Sequence, residues 1–288
     1  MKHFFKLIRL ENLILFAFMQ LVIKYGFLNH IHFKDALGAP QSLVLWQSLS
    51  NFQYMLLVFA SLFILAGGYI INAIFDVETD TINKPKEVVI DTHISEKTAY
   101  NLYFIVTCLG VGIGFYLSNV IYKPTFASMF ILVATLLYMY ATSFKQIPVL
   151  GNVVVALMLS TSIIIIGLFD ILPAIDVENR FRMKEAFDIL MHYAVFAFII
   201  NLIREIVKDM EDMDGDYQSG INSLPIAIGV QKTKIVVGVL TVISIGILAY
   251  YVNSNLFELD YVVYYAMILI VGPLIYFGVK LLNAATKK

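Results

Sequence analysis

Long apolar runs separated by polar connections dominate the chain. Eight of the runs are each roughly 20 residues long, which is the length an α-helix needs to cross the hydrocarbon core of a bilayer. They predict membrane-spanning helices at residues 12–28, 52–75, 97–118, 124–142, 149–171, 186–208, 232–252 and 261–282. The pattern therefore predicts an all-α fold: a polytopic membrane helical bundle that forms one membrane-embedded domain over residues 1–288.

Composition supports a membrane protein and excludes several kinds of site. Hydrophobic residues make up 60% of the 288 residues and charged residues 14%, and the mean hydropathy is +0.81, too apolar for an ordinary soluble domain. Cys108 is the single cysteine, which excludes a disulfide framework and a cysteine-based metal site. Lys2, Lys6 and Arg9 precede the first apolar run without a small-residue cleavage site, so we expect that helix to be retained. No nucleic-acid partner is expected.

Two clusters of acidic residues lie at the ends of apolar runs, where carboxylates are costly unless they have a function. In the first acidic segment (72–80), Asn72, Asp76 and Asp80 are spaced i, i+4 and i+8. In the second acidic segment (205–216), a spacing of i, i+4, i+7 and i+11 relates Glu205, Asp209, Asp212 and Asp216. If the helices continue, each set shares one helix face, whereas Glu78, Glu211 and Asp214 lie off these faces and should be solvated. Such oxygen ligands suit Mg²⁺, which prefers a few carboxylates together with waters and phosphate oxygens.

Cations accompany both acidic segments. Lys84 and Lys86 follow the first segment, and Arg204 and Lys208 lie within or beside the second. Carboxylates and cations together are what a metal-bridged diphosphate requires. Neutralising a diphosphate leaving group would let an allylic carbon–oxygen bond ionise, by stabilising charge that develops in the transition state.

The distribution of Lys and Arg predicts the orientation. In the eight-helix topology, fourteen of the 20 Lys and Arg residues fall on the side that holds the N-terminus. The positive-inside rule then predicts that both termini and both acidic segments are cytoplasmic, at the inner membrane if the source is bacterial. The two segments follow helices 2 and 6 in the same orientation. This placement suggests a parallel duplication in which the segments face each other across a central cavity.

The two segments resemble the signatures of a known family. Asn72-x-x-x-Asp76-x-x-x-Asp80 followed by Ile82-Asn83-Lys84-Pro85 is similar to the first signature of the UbiA superfamily of intramembrane prenyltransferases. The run from Arg204 to Asp216, with Gly220 and Ser223-Leu224-Pro225 behind it, is similar to the second. Supporting patches are Arg9-Leu10-Glu11-Asn12, and Lys145 with Pro148, Gly151 and Asn152.

The resemblance implies an enzyme that moves a polyprenyl group from its diphosphate to a lipophilic acceptor in the membrane, with Mg²⁺ as cofactor. It implies that metal and diphosphate are held by Asn72, Asp76, Asp80, Asp212 and Asp216, the four aspartates being the catalytic set. Further candidates for binding diphosphate or acceptor are Arg9, Asn12, Lys84, Lys145, Arg204, Glu205, Lys208 and Asp209. Within the family, the second segment is most similar to that of enzymes whose acceptor is a prenylated glycerol phosphate, and we expect a geranylgeranyl donor.

Three features depart from the family pattern. Ala73 replaces the usual Asp after Asn72, which leaves one ligand fewer. Lys86-Glu87-Val88-Val89 replaces a segment that usually contains Arg-Pro and glycine. Relatives generally have nine helices, whereas eight runs are apparent here. The number of membrane-spanning helices, eight or nine, is therefore left open.

Other functions remain as alternatives at this point. One is prenylation of an aromatic acceptor such as a quinone precursor, and another, from a different class, is cation-coupled membrane transport. A non-enzymatic scaffold would follow if Ala73 and the altered loop had abolished activity. A CDP-alcohol phosphotransferase is excluded because its Asp-Gly-x-x-Ala-Arg core is absent.

Overall fold

The fold is nearly all helical. The computed structural model describes residues 2–30, 33–34, 40–41, 45–255 and 260–283. The α-helices in these ranges, α1 to α13 in order, are Lys2–Leu7, Leu10–Leu21, Asn51–Phe75, Val77–Asn83, Glu96–Val120, Ala127–Thr142, Leu150–Ile166, Arg180–Glu211, Met213–Gln218, Leu224–Ile228, Val230–Asn255, Asp260–Ala266 and Gly272–Asn283. Three π-helical segments continue or connect them, at Val22–Leu28, Gly167–Ile171 and Met267–Val271, and short 3-10 helices lie at Pro124–Phe126, Phe144–Gln146 and Leu172–Ala174. Two two-residue strands, β1 (Phe33–Lys34) and β2 (Pro40–Gln41), pair antiparallel.

Eight helical stretches within the described ranges are long and apolar enough to cross a membrane. They are Leu10–Leu28, Asn51–Phe75, Glu96–Val120, Pro124–Thr142, Leu150–Ala174, Arg180–Glu211, Val230–Ser254 and Val263–Asn283. Each coincides with one of the eight predicted runs, so the all-α class and the assignment as an integral membrane protein are confirmed. The described residues contain no ninth span. The prediction that both termini are cytoplasmic concerns Met1 and residues 284–288, which lie outside the described residues.

The sixth span differs most from its predicted bounds. It begins at Arg180 and runs for 32 residues to Glu211, whereas the apolar pattern predicts 186–208. A helix of that length is about 48 Å long, well beyond the ~30 Å hydrocarbon core. The apolar pattern therefore detects the lipid-embedded middle of α8 and misses the charged turns at its two ends.

The chain divides into two compact units. Unit 1 comprises Met1–Phe144 and Leu157–Val195, and unit 2 comprises Lys145–Ala156 and Phe196–Lys288. The first acidic segment belongs to unit 1 and the second to unit 2. That the chain forms one domain, and that the acidic segments face a central cavity, both stay predictions.

In unit 1, α3 packs against both α5 and α6, and glycines permit close approach. A Cβ added at Gly110 of α5 would lie 2.7 Å from Cγ1 of Ile64 on α3. One added at Gly114 would overlap the ring of Phe130 on α6. Two glycines four residues apart therefore let α5 contact both neighbours, as small residues commonly do between membrane helices.

A buried ion pair lies near the N-terminal end of α3. Lys24 Nζ lies 2.8 Å from Asp170 Oδ2, and the two side chains are 1% and 0% exposed. Each residue lies in a π-helical segment, a local widening of the helix that is frequent at specialised sites. Lys24 also donates to the carbonyl of Leu49, and Asp170 Oδ1 accepts from the Leu49 N–H. The Lys24–Asp170 pair thus fixes the residues just before α3 to the first and fifth spans.

In unit 2, the last part of α8 has one apolar face and one acidic face. Ile199, Ile203 and Ile206 are buried and pack with Leu224 of α10 and Val237 of α11. Their spacing of four and three residues places them along one side of α8. This packing fixes the rotation of α8 about its axis and hence the direction in which Glu205, Asp209 and Asp212 project.

Candidate active site

The first acidic segment lies at a break between two helices. The α-helix α3 ends at Phe75 and α4 begins at Val77, with Asp76 between them at φ −98° and ψ 7°. The Asp76 N–H still donates to the Asn72 carbonyl (2.9 Å), and the Asp80 N–H to the Asp76 carbonyl (2.7 Å). The uninterrupted helix assumed from the spacing is therefore corrected to two helices, although the i to i+4 hydrogen bonding that sets the shared face continues across the break.

Asn72 orients the carboxylate at this break. Its side-chain N–H donates to Asp76 Oδ2, and its Oδ1 is buried and accepts no hydrogen bond. A buried amide oxygen without a donor is costly in a folded protein, but it is a suitable ligand for a hard cation. Asn72, Asp76 and Asp80 are partly buried, whereas Glu78 is exposed, as the helical spacing predicts.

Arg9 and Asn12 lie beside Tyr69, one turn before Asn72 on α3. The Arg9 guanidinium lies 5.3 Å from the centroid of the Tyr69 ring, and Asn12 donates to the Tyr69 hydroxyl at 3.4 Å. Arg9 is in the left-handed region with φ 49°, and its carbonyl accepts from the Asn12 N–H. This turn between α1 and α2 brings two predicted binding residues to the same end of α3 as the first acidic segment.

The loop after the first segment is attached to α1. Lys6 Nζ donates to the Lys86 carbonyl at 2.6 Å, and the rings of His3 and His93 stack with centroids 3.7 Å apart. Lys84, which follows α4, is partly buried, and its N–H donates to the Asp80 carbonyl at 2.7 Å. The loop that departs from the family pattern is thus held by the N-terminal helix, and Lys84 is linked to the acidic segment.

The second acidic segment has the same construction. Helix α8 ends at Glu211 and α9 begins at Met213, with Asp212 between them at φ −90° and ψ 6°. The Asp212 N–H donates to the Lys208 carbonyl and the Asp216 N–H to the Asp212 carbonyl. Lys208 Nζ lies 4.0 Å from Asp212 Oδ2. In both segments, the residue four positions before the break therefore contacts the aspartate at the break.

In the second segment, the acids that the spacing places on the shared face are buried or partly buried, and those off the face are exposed. Glu205 and Asp216 are buried, Asp209 and Asp212 are partly buried, and Glu211 and Asp214 are exposed. Glu205 pairs with Arg204, whose Nη1 lies 3.1 Å from Glu205 Oε1. The Arg204 side chain is itself 59% exposed, so its charge reaches solvent.

Asn152 is a residue of this site whose role was not apparent in the sequence. Its side-chain N–H donates to Asp209 Oδ2 at 2.8 Å, and Asn152 is buried near the start of α7. Lys145 lies in the 3-10 helix Phe144–Gln146 that precedes α7 and is partly buried. The patch from Lys145 to Asn152 is evident in the sequence, but its contact with Asp209 joins residues 57 positions apart.

The donor set fits a magnesium ion that is completed by substrate. Among the described residues, no three His, Cys, Asp or Glu side chains form a group that could hold a metal on their own. Mg²⁺ is usually bound through one or two carboxylates, waters and substrate phosphates. The unsatisfied Oδ1 of Asn72 next to the Asp76 carboxylate provides oxygen ligands of that kind.

The described residues contain eight apolar spans, and an aspartate lies at the junction of two helices in each acidic segment. These features are typical of one class, polytopic membrane proteins that handle a charged ligand. The UbiA prenyltransferase family model matches residues 37–288. The chain therefore belongs to the UbiA prenyltransferase family, and the family expectation is confirmed. The match does not favour the transporter or scaffold alternatives.

Individual relatives agree with the family assignment. Digeranylgeranylglyceryl phosphate synthase from Pyrococcus horikoshii is 32% identical over 211 residues, covering 72% of this chain and 69% of that protein. The synthase of the same name from Sulfurisphaera tokodaii is 30% identical over 214 residues, covering 74% and 71%.

Solved structures show the same fold. A UbiA homolog from Archaeoglobus fulgidus bound to GPP and Mg²⁺ has a TM-score of 0.64 at 15% identity, over 96% of this chain and 86% of that chain. A structure described as giving insight into digeranylgeranylglyceryl phosphate synthase in membranes has a TM-score of 0.64 at 23% identity, with the same coverage.

Proposed function

We propose that this protein transfers a geranylgeranyl group from its diphosphate to a prenylglyceryl phosphate, with Mg²⁺ as cofactor. The observation that carries the proposal is the Asn72–Asp76 pair at the end of α3, with its unsatisfied amide oxygen, in a chain 30–32% identical to two digeranylgeranylglyceryl phosphate synthases. A product with two geranylgeranyl chains requires an acceptor that already carries one.

In the proposed reaction, the bond between the allylic C1 and the diphosphate oxygen breaks, and both electrons leave with the diphosphate. The acceptor hydroxyl oxygen then bonds to C1 and its proton is released. The residues that would hold Mg²⁺ and the diphosphate are Asn72, Asp76, Asp80, Asp212 and Asp216. Bound Mg²⁺ would supply positive charge to the departing diphosphate.

The chain's own cations and amides complete this assignment. Lys84, Lys145 and Lys208 would contact phosphate oxygens that the metal leaves free, and Arg9 and Asn12 would act from the turn beside Tyr69. Arg204 and Glu205 would bind as a pair, because their contact neutralises the buried carboxylate. Asn152 would hold Asp209 in position through its hydrogen bond.

The proposed orientation has both acidic segments and both termini on the cytoplasmic side. It is supported by the fourteen of 20 Lys and Arg residues on that side. In a Cys108→Ala background, Glu87→Cys should react with a membrane-impermeant maleimide only from the cytoplasmic side. Tyr122→Cys, which replaces a residue 90% exposed between the third and fourth spans, should react only from the other side.

A product assay tests the proposed reaction. Purified protein in nanodiscs is given geranylgeranyl diphosphate, Mg²⁺ and one acceptor at a time: a geranylgeranylglyceryl phosphate, homogentisate or none. We expect diphosphate release and a doubly prenylated product by mass spectrometry with the first acceptor alone. Turnover with homogentisate instead would overturn the acceptor assignment.

The assignment of the acidic residues is tested with a matched pair of variants. Asp76→Asn should lower kcat by about 10²–10³-fold, the effect of losing one preorganised electrostatic contact. Glu78→Gln, two residues away and exposed, should leave kcat unchanged. Equal effects of the two changes would show that general charge near the helix end matters rather than the proposed site.

A further inference from the structure

A groove of about 610 Å³ lies between α5 and α6 in unit 1, apart from the residues assigned above. Residues that line it include Tyr103, Thr107, Cys108, Gly112, Thr135 and Tyr138. From Tyr103 to Phe115 it follows α5 over thirteen residues, a rise of about 18 Å, which is close to one leaflet of a ~30 Å hydrocarbon core. Its volume is that of a small-molecule site.

The chemistry of the lining indicates a hydrocarbon ligand. None of the lining residues is charged, so the groove has no counter-charge for a phosphate or diphosphate. Gly112 has no atom within 4 Å of an added Cβ, and with Ala134 it leaves width for a branched chain. Both helices are membrane spans, so a ligand enters from the bilayer.

One end of the groove adjoins the first acidic segment. The Tyr138 ring is stacked on Tyr103 at 6.4 Å and meets the edge of Phe75 at 6.5 Å. Phe75 is the residue directly before Asp76. A lipid in the groove with its polar end at Tyr138 would therefore present that end beside the carboxylates.

We propose that the α5/α6 groove is a docking site for the isoprenoid chain of the acceptor lipid. The acceptor is chosen over the donor because the donor is assigned to the acidic residues through its diphosphate, whereas the acceptor must bring its hydroxyl to them from the bilayer. The choice of an isoprenoid acceptor rests on the proposed function. The groove's size, its lack of charge and its position do not depend on it.

Cys108 provides the test, because it is exposed, lines the groove and is the chain's single cysteine. The rate of its alkylation by N-ethylmaleimide in phosphatidylcholine nanodiscs is followed by intact-protein mass spectrometry. At about ten times Kd, the acceptor geranylgeranylglyceryl phosphate should slow labelling roughly tenfold, by simple occupancy. Geranylgeranyl diphosphate with Mg²⁺, and a straight-chain oleoylglyceryl phosphate, should not slow it.

Variants that fill the groove provide the control. Gly112→Leu places a side chain in open space and should abolish protection of Cys108 by the acceptor, as should Thr135→Trp if the first variant unfolds. Gly246→Leu on α11, where an added Cβ also meets nothing within 4 Å, should leave protection intact. Protection by the straight-chain lipid or the donor, or none by the acceptor, would overturn the proposal. Because labelling requires no turnover, protection without any prenyl transfer would instead count against the proposed function alone.

Discussion

Asn72 combines two roles that a single substitution can separate. Its N–H orients Asp76, and its buried Oδ1 accepts no hydrogen bond within the protein. We expect Asn72→Leu to raise the Mg²⁺ concentration for half-maximal activity about 10–100-fold, the usual cost of losing a group that orients a metal ligand. Asn72→Asp, which keeps an oxygen but cannot donate to Asp76, should recover only the part of the affinity that the oxygen supplies.

Thermal unfolding distinguishes this effect from general damage. Because Leu removes an unsatisfied buried oxygen along with the N–H that donates to Asp76, Asn72→Leu should unfold at about the same temperature as the parent protein. A lower unfolding temperature together with an unchanged Mg²⁺ dependence would contradict the assignment.

The Lys24–Asp170 pair leads to a prediction about stability. Lys24→Met should cost about 3–5 kcal/mol because it leaves the Asp170 carboxylate buried without a counter-charge. Adding Asp170→Asn should recover much of this loss, since an amide oxygen can still accept from the Leu49 N–H. A double-mutant cycle on the unfolding free energy in detergent measures the coupling. Lys123→Met at an exposed lysine is the control, and additive effects would contradict the prediction.

At single residues, helical spacing predicts which acids are buried, but it cannot predict partners distant in sequence. The 3.6-residue period separates Asp76 and Asp80 from the exposed Glu78. Lys24 and Asp170 each appear in the sequence only as one charge near the end of an apolar run. Their contact joins residues 146 positions apart and requires the packed helices.

At the scale of helices, two of the three glycines of α5, Gly112 and Gly114, predict opposite results for the same substitution. Gly114→Ala forces a methyl group into the Phe130 ring and should cost about 1–3 kcal/mol, as overpacking usually does. Gly112→Ala meets open space and should be neutral or slightly stabilising, because alanine is the better helix former. The two unfolding temperatures in detergent decide the question, and equal values would contradict the observed packing of α5 against α6.

The spans follow from hydropathy, whereas the helix breaks do not. A membrane-spanning helix needs about 20 apolar residues, so the eight predicted runs are close to the observed spans. The breaks at Asp76 and Asp212 contain no proline or glycine to mark them, and each keeps its i to i+4 hydrogen bonds. Their matching dihedral angles are visible only in the folded structure.

For the whole molecule, the proposed reaction requires both acidic segments to act on one diphosphate. Each segment has the same local construction in its own unit, with an aspartate at the break and another four residues later. If both hold the same metal-bound group, removing either should disable the same step. Asp76→Asn and Asp212→Asn should each lower kcat by about 10²–10³-fold.

The double variant then tests whether the segments work as a unit. Groups that act together are strongly non-additive, so Asp76→Asn combined with Asp212→Asn should have nearly the kcat of either single variant. Combining Asp76→Asn with Glu211→Gln, an exposed acid beside the second break, should change nothing further. If the effects of the two aspartate substitutions multiply, the segments contribute independently, and a shared magnesium-bound diphosphate is not how this protein works.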